Sequence, residues 1–373
     1  MKKNYILLFA FILSYSINAQ TTTILSGLSQ QEGEFELLGN DLYIVQKEFN
    51  KVVKIDISQS NPTAIDVITG LKDPVDIAII NGFAYISETY ESDLTTTASI
   101  GKIRKYDLST SNPSATDVLT NLNGPWHMEA VGNDLHFLEL NITNLNTFNR
   151  NSRISKINVT NSSPTINTYI SNLGTDIFEF IINNNDIYIS KEGNTGSGKI
   201  LKGNISSTNT PVDFLTGAFT GPRGMTVENN ELYFSDLNFD LAKIDLSSSP
   251  ASASNILTLA NTTISDMDFD NSGNLYLMDR ENGEILKVDN STFSVTELSK
   301  DLYSIYPNPT KENININLLN NNRLLKLTIS NVFGQTIVST KLKTINISEL
   351  SSGIYILNIE TENGIATKRI IKQ

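Results

Sequence analysis

Four carboxylates stand at matching places in an internal repeat: Glu34, Asp76, Glu179 and Asp266, with His127 at the same place in another copy. Such an oxygen-rich set suits a hard cation such as calcium, which takes six to eight oxygen ligands. Beside His127 is Trp126, the single Trp of the chain. With Arg223, Tyr90 and Phe148 the pair could hold a sugar or a peptide by stacking and hydrogen bonding. A second recurring set, Glu88, Glu139, Asp236 and Asp279, ends the second strand of its copies. Recurrence there predicts a structural role, carboxylates bonding turn amides. His136 replaces a Tyr of the repeat and is expected in the core.

Other chemistries are missing. The chain has no Cys, so disulfides, thiolate zinc sites and cysteine nucleophiles are excluded. No nucleophile elbow, phosphate loop or paired metal-binding His motif occurs. The Gly-rich stretch 193–198 lies between strands without a following helix. No catalytic residue is assigned. Lys and Arg number 28 against 40 Asp and Glu, a net charge of −12 that argues against nucleic acid as a partner.

The elements that must position these residues come from the repeat. One phrase recurs at 40–46, 82–88, 133–139, 185–191, 230–236 and 273–279, anchored on Tyr43, Tyr85, His136, Tyr188, Tyr233 and Tyr276. Each copy is a turn pair followed by alternating β-formers, a hairpin entering a strand. Three more strand-like phrases complete each unit, as in 50–58, 66–71 and 74–80. Four short strands at a period in the forties and fifties form a β-propeller blade, and six copies predict six blades. The inner strands then line a central channel, and the four carboxylates face it. A propeller must also hide its terminal edges. The segment 22–28 is therefore expected to pair with the sixth blade, although 294–298 offers a rival strand. The longest loops, 89–99, 140–151 and 192–198, share one face with Trp126, His127 and Arg223, which makes that face the candidate binding surface.

Both ends read differently. Lys2 and Lys3, an apolar run from Tyr5 to about Ile17 and Ala19 form a signal peptide cleaved after residue 19. No later run is long enough for a transmembrane segment. From residue 301 to 373 there are five acids and eight bases, and seven strand-like runs predict a small immunoglobulin-like β-sandwich. The chain is thus all-β, with a signal peptide over 1–19, a propeller over 20–300 and a sandwich over 301–373.

Tyr306-Pro307-Asn308-Pro309, Gly334-Gln335, Gly353 with Tyr355, and the basic end Lys368, Arg369 and Lys372 resemble the C-terminal type A sorting domain of the type IX secretion system of Bacteroidetes. The resemblance implies export through the periplasm, recognition by the secretion machinery, removal of the domain by its sortase, and release or attachment at the cell surface. The propeller in turn resembles NHL-like and TolB-like propellers. Glu32-Gly33, Pro74-Val75-Asp76 and Ser265-Asp266-Met267 are similar to lactonase-type six-bladed propellers, which hold a divalent metal in the channel. Arg223-Gly224 stands where that family has an Asn-Gly ligand motif. The reading is an exported binding protein for an extracellular ligand, without catalysis; the rival is a calcium-dependent lactonase-like hydrolase using the channel carboxylates.

Overall fold

The structure is a computed structural model that describes residues 21–30, 33–89, 101–144, 149–193, 197–208, 210–217, 219–236, 240–259, 261–293, 300–319, 322–331, 336–361 and 364–373. The expected leader, Tyr90, Phe148, Gly334 and Gln335 lie outside the described residues. Contacts divide the chain into two compact units, Met1–Thr292 and Phe293–Gln373. Among the described residues no helix is long and apolar enough to cross a membrane.

The first unit holds six four-stranded antiparallel sheets. Their inner strands are Phe35–Leu38, Pro74–Ile80, Pro125–Val131, Ile177–Asn183, Pro222–Glu228 and Ile264–Phe269, in blades 1 to 6. Each inner strand packs against the next, and the sixth packs back on the first, so the ring is closed. The second strand of each blade is buried on both faces because it is sandwiched between neighbouring blades; in blade 1, Leu42, Ile44 and Val45 are wholly shielded.

Two local devices explain the recurring phrases. Where the third strand ends, an Asp or Asn side chain accepts the backbone N–H two residues on. Asp56 serves Ser58 at 3.0 Å, Asp107 serves Ser109 at 3.0 Å, Asn158 serves Thr160 at 3.1 Å, Asn204 serves Ser206 at 2.9 Å and Asp245 serves Ser247 at 2.8 Å. This turn chemistry stops one strand and aims the next. Where the second strand ends, a carboxylate accepts N–H bonds from the loop entering the same blade. Glu88 takes Lys72 at 3.3 Å, Glu139 takes Asn123 at 3.0 Å, Asp236 takes Thr220 and Gly221 at 3.0 and 2.9 Å, and Asp279 takes Thr263 at 3.1 Å. The structural role expected of these four holds.

The ring closes as expected of the N-terminal segment. Thr21–Ser26 is the outer strand of blade 6, antiparallel to Glu284–Val288, with Thr21 opposite Val288. Leu28 N–H then donates to the Gly283 carbonyl at 3.0 Å. Gly283 has φ +64°, and a Cβ there would stand 2.5 Å from the Leu28 carbonyl oxygen, so only glycine fits.

The second unit is a sandwich of a three-stranded sheet (Tyr303–Tyr306, Asn313–Leu318, Thr344–Asn346) and a four-stranded one (Leu324–Ser330, Thr336–Thr340, Gly353–Thr361, Gly364–Lys372). Ile314, Ile316, Leu327, Ile329, Leu357, Ile359 and Ile370 form its buried core. Asn308 ties the two ends of this unit together. Its Oδ1 accepts Ile371 N–H at 2.9 Å and its Nδ2 donates to the Arg369 carbonyl at 2.9 Å. Tyr306 is 53% exposed, Lys372 is buried, and the Tyr355 hydroxyl donates to the Ser351 carbonyl at 2.9 Å. The Lys368 ammonium stands 5.9 Å from the Tyr303 ring centre.

Candidate functional site

Each of the inner strands of blades 2 to 6 shifts register at its start, at Pro74/Ile77, Pro125/Met128, Ile177/Phe180, Arg223/Met225 and Ile264/Asp266. Such bulges re-aim side chains. Here they bring one residue per blade to a first level around the axis: Glu34, Asp76, His127, Glu179, Gly224 and Asp266. Two residues further along each strand, the period of a β-strand, lies a second level: Glu36, Ala78, Glu129, Ile181, Thr226 and Asp268. A cavity of about 140 Å³ is lined by Glu34, Asp76, His127, Glu179 and Asp266 above and Glu36, Glu129, Thr226 and Asp268 below. Seven carboxyl groups and one imidazole face it, and among the described residues no Lys or Arg lines it.

Three first-level acids also latch adjacent blades. Asp76 Oδ2 accepts Met128 N–H of blade 3. Glu179 Oε1 accepts Met225 N–H of blade 5 at 2.6 Å, and Asp266 Oδ2 accepts Phe35 N–H of blade 1 at 2.7 Å. In blade 5 the place belongs to Gly224, at φ +49°, where a Cβ would press on the Asp266 backbone at 3.1 Å.

His127 bridges the axis. Its Nδ1 lies 2.6 Å from Glu34 Oε2 and 3.6 Å from Asp76 Oδ2. Its Nε2 lies 2.8 Å from the Phe180 carbonyl oxygen. A carbonyl only accepts, so Nε2 carries the hydrogen, and Nδ1 is the atom turned toward the two carboxylates.

The electrostatics follow from burying acids together. Burial pushes the Asp76 carboxyl well above its ordinary range, and Glu34 beside it adds to the rise. Burial, then the charges of Asp268 and Asp76, raises Glu36 in the same way. Glu129 is raised well up by burial against the opposing pull of His127. Glu179 is pushed up to about 8, and Asp268 to about 6, by burial first. Burial acts to lower His127, but Asp76, Glu179, Glu129 and Asp266 outweigh it and the imidazole is raised.

The channel has unlike ends. First-level residues are buried, whereas Glu36, Glu129 and Asp268 are partly exposed. Above the first level a pocket of only about 20 Å³ is lined by Trp126, Phe178, Arg223, Glu34 and Glu179. The Arg223 guanidinium lies 4.1 Å over the Phe178 ring and donates to Glu192 at 3.3 Å. Trp126 is 6% exposed, packed with Val75, Leu138 and Ile177, under the Lys47 ammonium at 5.2 Å. Cationic and aromatic side chains therefore fill this end among the described residues.

The structure thus gathers Glu34, Asp76, His127, Glu179 and Asp266 around one cavity and sets Trp126 and Arg223 at its filled end. The second-level acids Glu36, Glu129 and Asp268 were not singled out from the sequence, although each lies two residues after a first-level residue. His136 is wholly buried, as expected, with Nδ1 2.8 Å from the Tyr169 hydroxyl, and burial lowers its pKa to about 4.

Residues 304–373 match the family model of the secretion system C-terminal sorting domain. The chain therefore carries a type IX sorting domain at its C-terminus, which directs it to the cell surface or the extracellular space. No curated protein matches the sequence. Among solved structures, a glucose dehydrogenase superposes with a TM-score of 0.53 at 13% identity, covering 72% of this chain and 99% of its own. The PQQ-bound aldose sugar dehydrogenase of Streptomyces coelicolor gives 0.51 at 11%, covering 72% and 98%. A luciferin-regenerating enzyme gives 0.52 at 14%, covering 72% and 94%. At these identities the likeness is one of fold.

Proposed function

We propose that this chain is an exported β-propeller that binds a cationic ligand in its central channel without transforming it. The observation that carries the reading is the gathering of seven carboxyl groups and one imidazole around one cavity with no Lys or Arg among its described lining residues. Buried charges need partners of opposite sign. Burial and mutual repulsion raise most of these carboxyls, and a cation entering from the second level would relieve that repulsion.

The size of the cavity narrows the ligand. About 140 Å³ is well below the roughly 300 Å³ at which sites for larger organic ligands begin. An ion with a few waters, or a small ammonium group, fits. That volume favours an ion over a sugar or over the PQQ of the Streptomyces coelicolor neighbour.

Thermal unfolding of the purified protein in EDTA, and with calcium, manganese, zinc or a small amine, tests this. A ligand held only by the folded state stabilises by about 2.7 kcal/mol at a hundredfold excess over its Kd. A rise in Tm that disappears in a Glu36→Gln, Asp268→Asn double variant supports the channel. A Tm indifferent to every one of these cations at millimolar concentration overturns the reading.

One observation favours the hydrolase alternative: donor atoms of Glu34, Asp76 and His127 lie within 4.8 Å of one another. A calcium-dependent lactonase-like enzyme would open lactones at a rate abolished by Asp76→Asn and by EDTA. Lactone turnover unchanged by either treatment removes this alternative.

A further inference from the structure

The second unit holds a cavity whose chemistry is the reverse of the channel's. We propose that it binds a phosphate monoester between Lys300 and Lys368, either a free sugar or glycerol phosphate or the same group at a lipid head. The site lies wholly in the second unit and is independent of what the channel binds.

Position is the first support. One side of the sandwich is bounded by an outermost strand of each sheet, Tyr303–Tyr306 of the three-stranded one and Gly364–Lys372 of the four-stranded one. The chain closes part of that side itself. Asn308 bonds to Arg369 and Ile371, and Thr310 bridges to Lys372. Beside this clasp a cavity of about 240 Å³ is lined by Lys300, Tyr303, Ser304, Ile305, Asn308 and Lys368.

Charge is the second. No Asp or Glu is among the described residues of the lining. Lys368 follows the inward alternation of its strand, because Ala366 and Ile370, two residues to either side, are core. Its ammonium lies 5.9 Å from the centre of the Tyr303 ring, a contact that holds the side chain without neutralising it. Lys300 is exposed in the short helical turn Lys300–Leu302. Among the described residues neither ammonium has a carboxylate within ion-pair distance. The propeller treats its lysines differently: Lys51, Lys54, Lys102 and Lys156 each hold an Asp at 2.6–2.9 Å.

The donors then select the anion. Asn308 Nδ2 donates to the Arg369 carbonyl and keeps its second hydrogen. The exposed Ser304 hydroxyl adds another donor. Two ammonium groups, an amide and a hydroxyl match the three acceptor oxygens of a phosphate monoester, which carries nearly two negative charges at pH 7. A carboxylate has one charge and two oxygens, and the forked guanidinium that fits it best is absent from the described lining. Lysine, a point charge, suits phosphate. The volume admits the phosphate with a glycerol or one sugar, and falls short of the roughly 300 Å³ at which sites for larger organic ligands begin.

Calorimetric titration of the untagged full-length protein with glycerol 3-phosphate, and with glycerate as its carboxylate counterpart, tests the site. The expected result is saturable binding of the phosphate, about tenfold or more tighter than glycerate and weakened by a similar factor in Lys300→Gln and in Lys368→Gln. Lys326→Gln, which removes a half-exposed lysine of the same unit, keeps the affinity. Melting curves show that each variant folds, and the exposed Lys300 carries the test should Lys368→Gln unfold. Flotation with phosphatidylcholine vesicles, with and without phosphatidic acid, separates the two sources. Flotation that needs phosphatidic acid and is lost in Lys300→Gln supports a lipid head. Titration without flotation supports a soluble ester. Binding of neither glycerol 3-phosphate nor phosphatidic acid overturns the proposal and leaves Lys368 as a charge guarding a sheet edge. Glycerate bound as tightly as the phosphate, or a loss in Lys326→Gln as large as in Lys300→Gln, overturns it too.

Discussion

The propeller buries two sets of carboxylates, and their surroundings differ. Those at the blade turns are compensated. Glu139 is fully buried yet accepts the Asn123 amide and a two-pronged contact from Arg153 at 2.9 and 3.0 Å. Glu88 meets Arg104 at 3.3 Å, and Asp279 gathers N–H groups of Thr263 and Glu281 at 3.1 Å each. Those in the channel are gathered against one another with a single imidazole among them. Burial is common to both sets and does not separate a structural acid from a candidate ligand. Both sets accept backbone N–H groups; what separates them is that the channel acids also stand against one another, which raises their pKa values. The turn acids tie loops within a blade, and three channel acids tie one blade to the next while repelling one another across the axis.

The largest test of this contrast removes a turn acid. Glu139→Ala strands the Asn123 amide and the Arg153 guanidinium and should cost about 3 kcal/mol in urea unfolding. A loss near zero would erase the distinction from the structural side. Next comes pH, in EDTA. Folded Glu179 keeps its proton up to about pH 8, whereas an unfolded Glu releases it near 4.5. The folded state therefore binds more protons between those values. The contribution is full below 4.5 and drains as pH rises through 8. From pH 6.5 to 8.5 the loss should be about 2 kcal/mol, and Glu179→Gln should flatten it. His136, lowered from 6.5 to about 4, acts in the opposite sense and below that window, losing stability as pH falls. The smallest effect sharpens the comparison at one side chain. Asp268→Asn in EDTA at pH 8 removes a charge that burial disfavours and should stabilise by about 1 kcal/mol, after allowance for partial exposure. Destabilisation by that substitution would mean the channel acids are as well compensated as the turn acids.

Much of this was legible in the sequence. The tyrosine-anchored phrase marks each blade because the second strand is buried on both faces and tolerates little else. The same alignment points Glu34, Asp76, His127, Glu179 and Asp266 at one axis. Glu36, Glu129 and Asp268 escaped because only three of six blades carry an acid there, so no recurrence marks them. Only strand alternation does, and the bulges interrupt it. The expected ligand face among the long loops falls largely on residues outside the described ones. Arg223, stacked on Phe178 and paired with Glu192, fills that end, and the cavity lies on the other side of the first level. A guanidinium reaching from one blade to its neighbour leaves no trace in residue spacing.

The outer strand of blade 6 sets the order in which the propeller can be finished. Thr23 donates to Glu284 at 3.2 Å across 261 residues of chain. The first strand to be made thus waits for almost the last, and five blades can assemble before it has a partner. Loop closure over such a span is slow. An incompletely synthesised or clipped chain keeps an exposed sheet edge, able to pair with another molecule. Completion of the ring therefore reports that the whole domain has been delivered intact.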